Sequence, residues 1–93
     1  MKKPNSQMTE VLHYLIENKS LTKLDSFRKL YVLHVGEIIR KLRAEGISIL
    51  TEYVEHKNKY GRSVRYARYV LCSSLRKSMT IYDRLHESKR AKD

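Results

Sequence analysis

The chain has 93 residues, enough for one domain with a short appendage, and its 41% hydrophobic content supports a small core but no deep catalytic cavity. Twenty Lys and Arg against ten Asp and Glu give a net charge of +10. That balance suits a partner rich in phosphate and, less well, an anionic membrane surface, because no apolar run approaches the roughly 18 residues of a spanning helix.

The first residues, MKKPNSQMTE, carry two lysines with no apolar stretch behind them, so no signal peptide is expected. Residues 1–5 read as a flexible basic lead. Asn5 or Ser6 then caps a first helix that reaches Asn18, with Met8, Val11, Leu12 and Leu15 on its buried face. Ser20-Leu21-Thr22 is too short for a strand alone but is able to pair with a later one. Thr22 caps a second helix with Asp25 three residues on, and Leu24, Phe27 and Tyr31, with Leu30 beside them, are its expected buried face. Residues 31–34 form a turn without Gly, Asn, Asp or Pro, so the third helix starts without a good cap.

That third helix, HVGEIIRKLRAEG over 34–46, organises the rest of the chain. Val35, Ile39 and Leu42 form a stripe to bury, Arg40, Lys41 and Arg43 point elsewhere, and Gly46 supplies the stop. The period then changes. Residues 49–56 and 63–71 alternate and are rich in β-branched and aromatic side chains, and the polar segment 57–62 between them makes an antiparallel hairpin with a basic tip. In the second strand Ala67, Tyr69 and Leu71 point in, and Tyr66, Arg68 and Val70 point out. A last helix spans about 74–87, with Leu75, Met79, Tyr82 and Leu85 as a narrow stripe and a frayed basic end. That stripe suits either a homodimer through 74–87, the preferred reading, or closure of the monomer's own core.

Helix, short strand, helix, turn, helix and hairpin is the element order of a winged helix-turn-helix domain. The expected fold is therefore mainly α with a small antiparallel sheet: three helices plus a two- or three-stranded wing over 6–72, and an added C-terminal helix and basic tail over 73–93. Residues 6–71 also resemble the small winged helix-turn-helix domains of bacteriophage and prophage proteins. The resemblance rests on Ser20-Leu21-Thr22 leading into Asp25-Ser26-Phe27, on Ile39, Leu42-Arg43 and Gly46 before an isoleucine strand, and on Arg65-Tyr66-Ala67-Arg68-Tyr69-Val70-Leu71. Two positions depart from it. Tyr31 stands where such domains often carry glycine, and Ile38 stands where they often carry a basic residue. Ile38 either extends the core stripe or covers a protein partner.

The resemblance and the charge together imply double-stranded DNA as partner, with the third helix in the major groove and the wing on the backbone. Candidate base contacts are His34, Glu37, Arg40 and Lys41; Arg40 is able to pair with guanine and Glu37 to accept from cytosine. Candidate backbone contacts are Arg43, Lys57, Lys59, Arg62, Arg65 and Arg68. Five of these lie within 57–68, where no acid occurs. Tyr60 at the tip is a candidate for stacking, and Gly36 allows close approach. Each has a plainer reading: a charged helix face is often only solvated, Arg43 complements a helix dipole, Tyr66 and Tyr69 pack, and Arg68 pairs with Glu52 or Glu55.

Two other classes compete. One is a winged-helix module that binds and inhibits a host protein; the other is an RNA binder. Catalysis has little support. His13, His34, His56 and His86 are widely spaced, with His13 and His86 expected at the surface, and no glycine loop cradles phosphate. No metal or cofactor is expected. The single cysteine, Cys72, suits a reducing cytoplasm and reads as a small buried or half-buried thiol.

Overall fold

The computed structural model describes residues 2–91, with side-chain surroundings through Glu87. The elements run α1 (Gln7–Asn18), β1 (Ser20–Thr22), α2 (Lys23–Leu30), α3 (Val35–Ala44), β2 (Ile49–Lys57), β3 (Ser63–Leu71) and α4 (Leu75–Ala91). The three strands form one antiparallel sheet in the order β1-β3-β2. This is a winged helix-turn-helix fold with a C-terminal helix.

Local chemistry sets the boundaries. Ser6 caps α1: its hydroxyl accepts from the Thr9 amide, and Thr9 Oγ1 accepts from the Ser6 amide in return. Lys19 ends that helix in the left-handed region, φ 70°. Thr22 Oγ1 accepts from the Asp25 amide at 2.9 Å and starts α2 directly from β1. His34 makes no side-chain cap bond, as its composition suggested, and Gly46 at φ 103° turns the chain out of α3. Ser74 Oγ accepts from the Lys77 amide and opens α4.

One apolar core joins all layers. Val11, Leu12 and Leu15 of α1 meet Leu21 of β1, Val35, Ile39 and Leu42 of α3, Tyr69 and Leu71 of β3, and Ile81 and Tyr82 of α4. Met8 is only partly buried at its margin. Ile38 is 8% exposed, so it extends the core stripe of α3 and is not a surface for a partner. Ala67, Tyr69 and Leu71 turn toward the core as the alternation required.

Several expectations are corrected. In α2, Leu24, Phe27 and Tyr31 lie exposed, with Phe27 at 51% and Tyr31 at 78%. The buried residue is Ser26, whose hydroxyl donates to the Lys23 carbonyl at 2.7 Å. A small residue lets this short helix sit close to the body, and Val32 from the following turn is buried in the core. In α4 the buried side is Ser78, Ile81, Tyr82 and His86, with Leu85 partly covered, while Leu75 and Met79 are exposed. This helix packs on α1, so its stripe is spent largely within the chain. Consequently His86 is buried and His13 half-buried, both against the Tyr82 ring. Cys72 is exposed, because it follows Leu71 on the opposite face at the strand's end.

The lead is not free. Tyr82 donates its hydroxyl to the Lys2 carbonyl at 2.6 Å, Asn5 Nδ2 donates to the His86 carbonyl, and Lys2 pairs with Glu87. The helix expected to end near 87 continues to Ala91; the side chains of the basic tail lie outside the described residues.

Candidate nucleic-acid interface

The outward edge of α3 follows from its stripe. With Val35, Ile38, Ile39 and Leu42 buried, His34, Gly36, Glu37, Arg40, Lys41 and Arg43 face solvent. Gly36 stands close to the sheet: a Cβ there would lie 3.6 Å from the Tyr69 hydroxyl. Among the described residues, the side chains of Lys41 and His34 have no hydrogen-bond or ion-pair partner. Arg40 and Glu37 do not act singly. They form an exposed ion pair one turn apart, and Arg40 holds the Glu37 carboxyl below the usual carboxylate range by hydrogen bond and charge. Glu37 raises Arg40 in turn. The pair engages Nε and Nη2 of Arg40 with Glu37, so the two side chains present to solvent as a unit.

Arg43 is also held within the fold. Its guanidinium donates to the Ile49 carbonyl at 2.7 Å and to Thr51 Oγ1 at 2.7 Å, tying the end of α3 to the start of β2. Its charge remains near the surface, and Nε and Nη2 are the donors that make these bonds. Arg43 also offsets part of the upward push that burial gives the Tyr69 phenol.

The hairpin pairs residue by residue from Ile49↔Leu71 to Lys57↔Ser63. Side chains alternate between faces, so Thr51, Tyr53, Glu55 and Lys57 share one face with Ser63, Arg65, Ala67 and Tyr69. α3 touches this face at two places, Gly36 beside the Tyr69 hydroxyl and Arg43 bonded to Thr51. It carries Arg65, whose guanidinium lies 4.8 Å from the Tyr53 ring centre. Arg68 lies on the other face, opposite Glu52, with which it makes a loose 4.0 Å contact. Of the strand basics, then, Lys57 and Arg65 share the α3 side and Arg68 does not.

At the tip, Asn58 Oδ1 accepts from the Tyr60 and Arg62 amides at 2.9 and 3.0 Å, and Gly61 takes φ 82°. This turn holds Lys59, Tyr60 and Arg62 outward. Tyr60 is 82% exposed, with Lys59 Nζ 5.2 Å from its ring centre. Tyr66 instead stacks on His56 at 5.6 Å, which is the packing role expected of it.

Two features escaped the sequence reading. The platform Tyr53 gives Arg65 depends on hairpin register, which one residue of slip would abolish. The other is that the stripe of Leu24, Phe27 and Tyr31 stays uncovered and is joined by Leu33 from the turn, because periodicity shows that a face is apolar and not what covers it.

The winged helix-turn-helix domain family matches residues 6–74, three-quarters of the chain, and the chain belongs to that family. No curated protein matches it. Its fold suggests DNA binding. No described helix is long and apolar enough to cross a membrane, and no described His, Cys, Asp and Glu cluster has a metal-site geometry.

Proposed function

We propose that this protein binds double-stranded DNA as a small transcriptional regulator or recombination accessory factor of phage or prophage kind, in the cytoplasm of a bacterial or infected cell. It acts by binding alone, without catalysis or cofactor. The observation that carries this reading is the shared face: the outer edge of α3 and the hairpin face bearing Lys57 and Arg65 spread from one base, where Arg43 joins α3 to β2. A helix edge set beside a basic ribbon suits a major groove and its flanking phosphates.

In this reading Lys57, Lys59, Arg62 and Arg65 supply affinity by neutralising phosphates. Lys41, His34 and the Arg40–Glu37 pair supply sequence preference. Arg43 chiefly fixes the angle between helix and wing, and Arg68 contributes only long-range charge. A homodimer through 74–87 would use Leu75 and Met79, the stripe residues left exposed, and would set two wings on two half-sites.

Selection of duplexes from a random pool, followed by variants, tests the division of labour. Arg40→Ala is expected to lose sequence preference while keeping non-specific binding. Glu37→Gln releases Arg40 and removes a negative charge, so it is expected to tighten non-specific binding severalfold at low salt. An unchanged preference in Arg40→Ala removes α3 from base reading.

A further inference from the structure

The corrected orientation of α2 leaves an apolar slot beside the wing. Leu24, Phe27 and Leu33 form one wall, Val64 and Tyr66 the other, and Val32 lies between them. The slot encloses about 380 Å³, room for more than one aliphatic side chain. Leu24 and Phe27 of α2 and Leu33 of the following turn line it, all exposed. An apolar face of this kind on so small a basic domain marks a contact surface.

The wall formed by β3 is also an open strand edge. β1 pairs only with Arg68–Val70, so 63–67 have no strand on that side. The direction of the free groups follows from alternation. The Leu71 amide donates toward β1, to the Lys19 carbonyl, and the Cys72 amide donates to Ser48 beside β2. Counting back by twos from Leu71, Ala67, Arg65 and Ser63 turn their backbone N–H and C=O away from β2, along the edge that borders the slot at Val64 and Tyr66. A helix facing an unpaired strand edge across an apolar trough accepts an extended chain: backbone pairs with backbone, and alternate side chains drop between strand and helix.

Charge selects the occupant. The one charged residue lining the slot is Lys23, Arg28 flanks the apolar stripe on α2, and the wing over 57–68 carries five basic residues and no acid. A second copy would bring its own +10 against this surface. We infer that the slot between α2 and the free edge of β3 docks an extended segment of another protein, in which apolar side chains alternate with acidic ones. The site uses the backbone of Arg65, whose side chain is among the groups assigned to DNA, and no side chain of α3 or of the wing tip.

The test uses the full chain and a labelled peptide of about ten residues alternating Asp with Val and Leu, a usual strand length. A control peptide has the same composition with the apolar residues in one block. Saturable binding of the alternating peptide alone, with slowed hydrogen exchange at the Arg65 and Ala67 amides, is the expected result. Phe27→Glu is expected to weaken it about tenfold or more, since a central aromatic anchor is lost. Phe27 is half exposed, so the variant should fold, and the exchange readout on the unaltered chain needs no variant. Equal binding of both peptides, exchange unchanged at Arg65 and Ala67, or a peptide that binds as a helix overturns the proposal. So does self-association of the chain, seen by sedimentation, that Phe27→Glu abolishes, because the slot then belongs to a second copy. Phe27→Ser, which changes no charge, should weaken peptide binding and leave duplex binding the same, so a failure of the DNA reading and a failure of the slot are read separately.

Discussion

Tyr31 shows how a single residue records a compromise. It ends α2 at φ 55°, ψ 31°, a conformation that costs a residue with a Cβ about 1–2 kcal/mol. Its ring is 78% exposed and returns little burial for that strain. Tyr31→Gly relieves the strain but gives the unfolded chain more freedom, worth roughly 0.5–1 kcal/mol in the opposite sense. The net expectation is a gain of about 0.5 kcal/mol in unfolding free energy, read by urea denaturation; a loss would show that the ring packs in a way the fold does not display. The departure from glycine was visible in the sequence, and its backbone consequence follows from chain geometry alone. The fate of Ile38 was not. Its position on α3 allowed core or surface, and only the packing of α3 against the rest decides for the core. Arg43 likewise read as a phosphate contact because charge is visible in sequence, while the carbonyl of Ile49 that engages it is not.

At the scale of elements, boundaries were legible and facing was not. Ser6, Thr22, Ser74 and Gly46 act locally, through bonds to amides three residues away or through one backbone angle, so their effect needs no knowledge of the fold. The hairpin was equally plain, because its alternation and its polar turn agree. In α2 the same reasoning chose the wrong side. Period alone identified an apolar stripe, and the short link from β1 then turned that stripe outward and Ser26 inward. The consequence is measurable. Phe27→Ser is expected to cost less than about 1 kcal/mol, whereas Leu42→Ala, at a fully buried site of α3, should cost about 2–5 kcal/mol. Urea denaturation of both variants checks the contrast. A large loss in Phe27→Ser would place that ring in the core after all.

Over the whole molecule, α4 and the N-terminal lead form a clasp. Ile81 and Tyr82 complete the core that α1 begins, Arg84 donates to the Glu45 carbonyl and carboxylate at the end of α3, and Tyr82, His86 and Asn5 bind the lead to α4. The narrow stripe in the sequence suited either a second copy or the chain's own core; α1 covers Ile81 and Tyr82, while Leu75 and Met79 stay exposed, a division that periodicity alone does not make. A chain ending at Cys72 would expose the α1 face beneath Ile81 and Tyr82 and is expected to unfold at markedly lower urea than the full chain. Equal midpoints would show that α4 is an appendage and not part of the core.

The central claim is that the helix edge and the wing together form a surface for duplex phosphates, with affinity resting on the wing. The most direct measurement is the dissociation constant for a random-sequence duplex across a salt series, for the full chain and for the Lys59→Ala, Arg62→Ala double variant. Each phosphate neutralised adds about 0.9 to the log–log slope, so binding should weaken steeply with salt and the double variant should lose about 2 from the slope. Absence of binding near physiological salt, or binding whose slope is the same in the double variant, would contradict it.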